Sequence, residues 1–171
     1  MREKLATCAG LFLLCTLAAA PARAAEAAAA MINRDLESVG TVILEQTPQG
    51  VLLIADLHNL PPGTHGFHVH AVGKCEPPFT SAGGHFNPTG KDHGFKAEAG
   101  PHAGDMPNIH VGAGGKIVIE VFNQRISLVD GEANLFGDDG ASIVIHAGPD
   151  DYKTNPDGGA GPRIACGVIK K

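Results

Sequence analysis

Residues 65–70 read HGFHVH, in which apolar and imidazole side chains alternate with a period of two residues. A β-strand has this period, so Phe67 and Val69 share one face while His68 and His70 project side by side from the other. The run therefore predicts a strand with core residues on one face and a pair of histidines on the opposite face.

Short runs rich in Val and Ile lie on both sides of this segment, separated by Gly, Pro and Asn. None of them contains proline, and no stretch shows a convincing 3.6-residue period. The candidate strands are residues 39–45, 51–58, 65–71, 116–122, 125–129, 142–146 and 165–169. This pattern predicts an all-β fold, an antiparallel sandwich or barrel.

Two irregular stretches, residues 75–108 and 147–162, interrupt the strand pattern. Both are rich in Gly, Pro, Asp and Asn, which favour turns and loops. A structureless segment of this length inside a compact domain is usually functional or disordered. Because the first stretch also carries three histidines, we expect functional loops.

Composition limits the class of protein. The chain has 171 residues with 43% hydrophobic and 18% charged residues, which excludes a disordered acidic tail and a polytopic membrane protein. Its net charge of −5 lacks the basic excess that nucleic-acid backbones attract, so we expect no nucleic-acid partner. The length fits one domain and a short appendage.

The first residues have the pattern of an export signal. Arg2 and Lys4 precede an uncharged apolar run, and small residues at positions 22 and 24 suit cleavage near Ala24. The alternative is a transmembrane anchor, since the uncharged run reaches the lower limit of a membrane span. We predict a signal peptide at residues 1–24, whose removal leaves no stable membrane association. It takes away three basic residues and one acidic residue, so the charge changes from −5 to −7.

The Ala-rich residues 25–37 are expected to form a flexible mature N-terminal segment before a folded domain at residues 38–171. After signal removal, Cys75 and Cys166 are the only cysteines. An even pair in an exported chain indicates a disulfide, and the alternative is two buried free thiols.

Several further residues could bind metal. His146 ends a candidate strand and lies on the face opposite Ile143 and Ile145. The first long loop adds a mixed nitrogen and oxygen set, namely His85, His93, His102 and Asp105. Imidazole-rich sites without thiolate suit copper or zinc.

Three histidines are not expected to be ligands. His65 has the parity of Phe67 and Val69, so it should point into the fold as a hydrogen-bonding support. His58 and His110 have no other potential ligand near them at a spacing typical of a metal site.

Five motifs, in this order, resemble copper,zinc superoxide dismutase over roughly the whole mature chain: GFHVH at 66–70, GHFNP at 84–88, HAGD at 102–105, HAGPDD at 146–151 and GPRIACG at 161–167. The resemblance implies a Greek-key β-barrel with two long functional loops. With the signal segment, the chain is similar to exported bacterial members, which implies a periplasmic location.

The resemblance also implies one copper and one zinc per chain. Copper would be bound by His68, His70, His85 and His146. Zinc would be bound by His85, His93, His102 and Asp105. His85 would then bridge the two metals, and its imidazole would take a proton when copper is reduced.

Further residues acquire roles from the same resemblance. Asp150 would link the free ring nitrogens of His68 and His93, which fixes their orientation. Cys75 and Cys166 match the family disulfide. Arg163, tethered by that bridge, would be a catalytic cation beside copper, and Lys153 is a second candidate for attracting the substrate.

The implied activity is dismutation of superoxide to dioxygen and hydrogen peroxide, as antioxidant defence outside the cytoplasm. The resemblance leaves both a monomer and a homodimer open. The competing interpretations are a non-enzymatic metal-binding or copper-trafficking module on the same fold, and a purely structural β-sandwich.

Overall fold

The computed structural model describes residues 25–171, and the predicted signal peptide lies outside them. The described chain is all-β, as predicted, with one short 3₁₀ turn at Thr80–Ala82. The strands are β1 (Glu26–Asn33), β2 (Ser38–Thr47), β3 (Gly50–Leu57), β4 (Gly63–His65), β5 (Phe67–His70), β6 (Ile109–Val111), β7 (Ile117–Asn123), β8 (Ser142–His146) and β9 (Arg163–Lys170).

Seven strands form one antiparallel sheet in the order β5-β8-β9-β1-β2-β3-β7, and β4 pairs with β6 in a separate ribbon. The chain passes from β3, which lies next to the edge strand β7, to β5 at the opposite edge of the large sheet, and it returns from β7 to β8. Such long crossovers between antiparallel strands are typical of Greek-key topology. They leave the long loop between β5 and β6 next to the loop between β8 and β9.

The main core lies against one face of the large sheet. The alternation in β5 places Phe67 and Val69 in this core, and β8 contributes Ile143 and Ile145 in the same way. All residues of β8 are buried, because the opposite face of that strand is also covered. The functional loops therefore begin from strands that are held on both faces.

The expectation of a flexible segment at residues 25–37 is wrong. Glu26–Asn33 forms β1, which lies between β2 and β9 in the middle of the sheet. Its alternate residues Ala27, Ala29 and Met31 are buried in the core. An alanine run shows no contrast between buried and exposed positions, so its period of two residues was invisible in the sequence.

Two strand predictions also need correction. Residues 125–129 form a turn, in which only Ser127 makes an isolated bridge, to Asn134. The predicted strand at 65–71 is divided at Gly66 between β4 and β5. A side chain at Gly66 would lie 2.9 Å from Ala160 Cβ, so the second loop packs closely against this break.

Cys75 and Cys166 form a disulfide with a Cα–Cα distance of 5.7 Å. It joins the start of the first loop to β9 and lies in a small apolar cluster with Phe79 and Val144. Within residues 25–171, no helix has the length and apolar character needed to cross a bilayer.

Candidate metal centre

Seven ligand-type side chains converge in two groups that share His85. One group contains His68, His70, His85 and His146, and the other contains His85, His93, His102 and Asp105. Within each group, one ligand atom from every residue lies within 4.8 Å of the others, and all the residues are buried. The structure thus brings together every residue that the sequence singled out as a metal ligand.

In the first group, hydrogen bonds on one side of each ring leave the other nitrogen facing a common point. His68 Nε2 donates to Asp150 Oδ2 at 2.8 Å, and His70 Nδ1 donates to the Gly83 carbonyl at 2.9 Å. His146 Nδ1 donates to the Gly161 carbonyl at 3.0 Å. Such partners fix the tautomer of a metal-binding imidazole and orient its ring.

Two buried ring nitrogens in this group have no hydrogen-bond partner among the described residues: His68 Nδ1 and His85 Nε2. An unsatisfied buried polar atom is costly and needs an explanation. The inward Nε2 atoms of His70 and His146 are 3.4 Å apart. A cation held by the four imidazoles would satisfy all of these nitrogens, so the donor set fits copper.

In the second group, Asp105 Oδ1 is the common neighbour of three ring nitrogens. It lies 2.8 Å from His85 Nδ1, 3.1 Å from His93 Nδ1 and 3.4 Å from His102 Nδ1. The other carboxylate oxygen, Oδ2, accepts hydrogen bonds from the backbone N–H groups of Gly94 and His102. One carboxylate oxygen and three imidazole nitrogens form a set that suits tetrahedral zinc.

Burial keeps three histidines of the first group, His68, His70 and His146, in their metal-binding, neutral form. Desolvation lowers the pKa of His68 to about 3 and that of His146 to about 4. The pKa of His70 is also lowered well below its ordinary value by burial, and the nearby charge of His85 acts in the same direction. Neutral imidazole is the form that binds metal, so these rings need lose no proton at neutral pH.

In the second group, burial lowers the pKa of His102, but His93 has the opposite electrostatic balance. Burial by itself would lower the pKa of His93, but hydrogen bonds to Asp105 and Asp150 raise it to about 9. The pKa of both carboxyl groups is lowered despite their burial, by hydrogen bonds from histidines. A cation is therefore favoured at this position, and zinc would replace the proton on His93.

Asp150 connects the two groups. Its Oδ2 accepts from His68 Nε2, and its Oδ1 accepts from His93 Nε2 at 2.9 Å. The sequence analysis missed how this carboxylate is held. The Asn108 side chain donates to the Asp150 carbonyl and accepts from the Asp150 N–H, each at 2.8 Å, and the hydroxyl of Tyr152 accepts from the Asn108 N–H. A lone asparagine carries no signal in sequence, although Tyr152 is the only tyrosine of the chain.

A cavity of about 350 Å³ opens onto the first group and is lined by His70, Gly84, His85, Asn87, His102, His146, Pro156, Asp157, Gly161 and Arg163. The Arg163 guanidinium donates to the carbonyls of Phe79 and Gly83, each at 2.6 Å. Burial lowers the pKa of Arg163, and the nearby Asp157 carboxylate opposes this shift. Lys153 is exposed and is not among the residues that line the cavity.

A larger open groove, of about 780 Å³, runs along β1 and β9 beside the disulfide. No histidine lines it, so it has no part in the metal centre. Of the two, the smaller cavity is the one that leads to the metal centre, because histidines line it and none lines the larger groove.

The remaining histidines lie outside both groups. His65 is buried, and its two ring nitrogens contact the carbonyls of Pro61 and His146, each at 2.8 Å. It therefore supports the backbone at His146, as its parity predicted. His110 is exposed and hydrogen-bonds to Thr64 across the β4–β6 ribbon, at 3.0 Å.

Comparisons with known proteins agree with this geometry. The model of the copper/zinc superoxide dismutase family matches residues 38–169. Superoxide dismutase [Cu-Zn] 1 of Aquifex aeolicus (strain VF5) is 50% identical over 143 residues, which cover 82% of this chain and 85% of the relative.

Solved structures show the same likeness. A double mutant of a superoxide dismutase-like protein from Bacillus subtilis superposes with a TM-score of 0.80 at 41% identity, covering 82% of this chain and 95% of the other. The Cu/Zn superoxide dismutase from Brucella abortus gives a TM-score of 0.70 at 31% identity, covering 85% of this chain and 100% of the other. The histidine groups can bind copper and zinc, with His85 common to both. With this fold, these two groups and these relatives, the chain belongs to the copper/zinc superoxide dismutase family.

Proposed function

We propose that this protein dismutates superoxide to dioxygen and hydrogen peroxide, with copper in the first histidine group and zinc in the second. The observation that carries the proposal is the position of His85. Its Nδ1 faces Asp105 in the second group, while its Nε2 is buried in the first group and has no hydrogen-bond partner within residues 25–171. A single imidazole aimed at two cation sites is hard to explain in a purely structural β-sandwich.

Copper held by His68, His70, His85 and His146 would supply one-electron redox chemistry, by which one superoxide is oxidised to dioxygen and a second, with two protons, is reduced to hydrogen peroxide. The protein keeps His68, His70 and His146 neutral and oriented for this ion. His85 also takes part in proton transfer. Its Nε2 can hold a proton whenever no metal is bound to that atom, and this proton is then available to the peroxide product. Asp105 and the other ligands of the zinc group hold the ring in place by its Nδ1 side.

Arg163 attracts and orients the anionic substrate. The predicted mature chain carries a net charge of −7, against −5 for the whole sequence, so its overall field repels superoxide and attraction must be local. A guanidinium has five N–H donors. Two of its nitrogens donate to the Phe79 and Gly83 carbonyls, which fixes the cation at the wall of the cavity while other donors remain for an anion.

Replacing Arg163 by Glu tests this role. We expect the rate of superoxide disappearance to fall steeply and its dependence on salt to change, while copper and zinc content stay the same. Lys153→Glu is the matched control, because it makes the same charge change outside the cavity lining. An unchanged rate in Arg163→Glu would refute the steering role.

The activity itself is tested by titrating copper into purified, disulfide-bonded, zinc-loaded protein while following superoxide disappearance. We expect a rate near the diffusion limit that rises linearly and saturates at one copper per chain. Stoichiometric copper binding without activity would favour the copper-trafficking alternative.

We further propose that the protein is exported to the periplasm and loses residues 1–24. The signal-like N-terminal pattern and the disulfide between Cys75 and Cys166 support this location, since disulfides persist in oxidising compartments. The mass of the exported protein is the test, and a mass that includes residues 1–24 would contradict cleavage.

A further inference from the structure

The turn that follows β7 reaches the backbone of the zinc-binding turn at residues 102–105. Arg125 Nη2 donates to the Asp105 carbonyl at 2.8 Å, and Arg125 Nε lies 3.4 Å from the His102 carbonyl. Its guanidinium thus contacts the main chain of two residues whose side chains belong to the second metal group. Arg125 itself contributes no atom to either group.

Asn123 completes this contact. Its Nδ2 donates to the Ala103 carbonyl at 2.9 Å, and its Oδ1 accepts from the Arg125 N–H at 2.9 Å. The second bond orients the Asn123 amide so that its donor side faces the zinc-binding turn. Together, Asn123 and Arg125 bind three of the four carbonyls in residues 102–105.

The same guanidinium also reaches the other half of the zinc loop. It lies 5.5 Å from the centre of the Phe95 ring, a cation–π distance. Phe95 follows Gly94, whose N–H donates to Asp105 Oδ2. Arg125 therefore contacts two of the chain segments that supply ligands to this group: the segment just after His93 and the 102–105 turn.

This arrangement matters because the zinc ligands lie outside the strands. His93, His102 and Asp105 come from a long loop, whereas β5 and β8 position three ligands of the copper group. Metal affinity depends on groups that orient the ligands as well as on the ligands themselves. Asn123 at the end of β7 and Arg125 just after it connect this loop to the sheet through its backbone carbonyls.

We propose that Arg125, together with Asn123, is a positioning clamp for the zinc site, so that zinc affinity depends on Arg125 while copper affinity does not. The inference rests on the proposed assignment of zinc to the second group. It adds a residue far along the chain that controls that group without binding the metal.

The test is zinc affinity, measured by chelator competition in disulfide-bonded, metal-free protein. We expect Arg125→Gln to weaken zinc binding by about 10-fold to 100-fold, the usual effect of losing a residue that orients metal ligands. Arg125→Lys keeps the positive charge but loses the planar guanidinium that can bind two carbonyls at once. It should therefore retain only part of the zinc affinity. Copper affinity, measured separately in zinc-free protein, should stay within twofold of the wild type.

Arg34→Gln is the matched control, because Arg34 also donates to a backbone carbonyl, that of Arg163, but lies away from the zinc-binding turn. The absorption of cobalt bound at the zinc site gives a second readout: Arg125→Gln should change its band positions and Arg34→Gln should not. If Arg125→Gln does not fold, the same measurements on Arg125→Lys test the proposal.

Two results would overturn the clamp: zinc affinity unchanged in the Arg125 variants, or zinc and copper affinity reduced equally, which indicates general destabilisation. A wild-type protein that binds no zinc would instead contradict the proposed function, so the two failures are distinguishable.

Discussion

Replacing Asp150 by Asn is expected to weaken at least one of the two metal sites by about 10-fold to 150-fold. Both oxygens of this buried carboxylate accept hydrogen bonds, from His68 Nε2 at 2.8 Å and from His93 Nε2 at 2.9 Å. Asparagine has a similar shape but offers one acceptor oxygen and one donor group. The amide can therefore satisfy one ring, while the other ring faces a second N–H donor.

The size of the effect follows from that lost bond. A hydrogen bond to a charged group contributes about 1.5–3 kcal/mol, which corresponds to roughly 10-fold to 150-fold in an equilibrium constant. The ring that faces the amide N–H can avoid two opposed donors by moving its own proton from Nε2 to Nδ1. In both His68 and His93, Nδ1 is the atom that faces the metal group, so this change of tautomer removes a ligand.

The assay is chelator competition for zinc and for copper, measured separately, with disulfide-bonded protein at neutral pH. Asp151→Asn is the matched control, because the neighbouring Asp151 is exposed and, in the described part of the chain, its carboxylate accepts hydrogen bonds only from Lys153 and Thr154 in its own turn. If Asp150→Asn binds both metals as tightly as the wild type, the argument that Asp150 selects the ring tautomers is refuted.

Three further predictions follow from the same structure. Replacing both disulfide cysteines by serine opens a connection with a sequence separation of 91 residues, which should lower the free energy of unfolding by about 4.6 kcal/mol in the chain-entropy model; denaturant unfolding measures this, and an unchanged midpoint would contradict it. In metal-free protein, the pKa values of about 3 for His68 and about 4 for His146 lie below the unfolded value of 6.5. The unfolded state therefore takes up protons first, and each histidine should reduce stability by about 2 kcal/mol between pH 7 and pH 5; urea midpoints that do not fall over this range would refute it. Gly158→Ala places a Cβ against the Asp150 carboxylate and should weaken metal binding, whereas Gly159→Ala, also at positive φ but with open space around it, should only cost stability; equal metal affinity in the two variants would count against the steric argument.

Local periodicity predicted much of the fold and the ligand geometry. The alternation around His68 and His70 holds for any strand, because successive side chains project to opposite faces. The same rule correctly separated His146 from its apolar neighbours. The rule failed in β1, where neighbouring side chains do not differ in polarity. It also failed at Ile126 and Leu128, which alternate as in a strand but pack into the core from a turn.

The residues that hold the ligands could not be predicted in this way. Asn108 lies 42 residues from Asp150, and Arg125 lies 20 residues from Asp105. Neither has a neighbour in sequence that distinguishes it from an ordinary polar residue. Their contacts arise only when the loops between β5 and β6 and between β8 and β9 pack against the ends of the strands.

The sequence by itself determined which ligand-type residues are present and, through the two-residue period of a strand, which face the strand-borne histidines occupy. The tertiary structure decided which nitrogen of each ring faces the centre of its ligand group. That choice depends on the acceptor on the opposite side of the ring, and these acceptors are distant in sequence: Gly83 for His70, Gly161 for His146 and Asp150 for His68. A proton on one ring nitrogen leaves the other free to bind a cation, so these long-range contacts create the metal centre from histidines that the strands only bring close together.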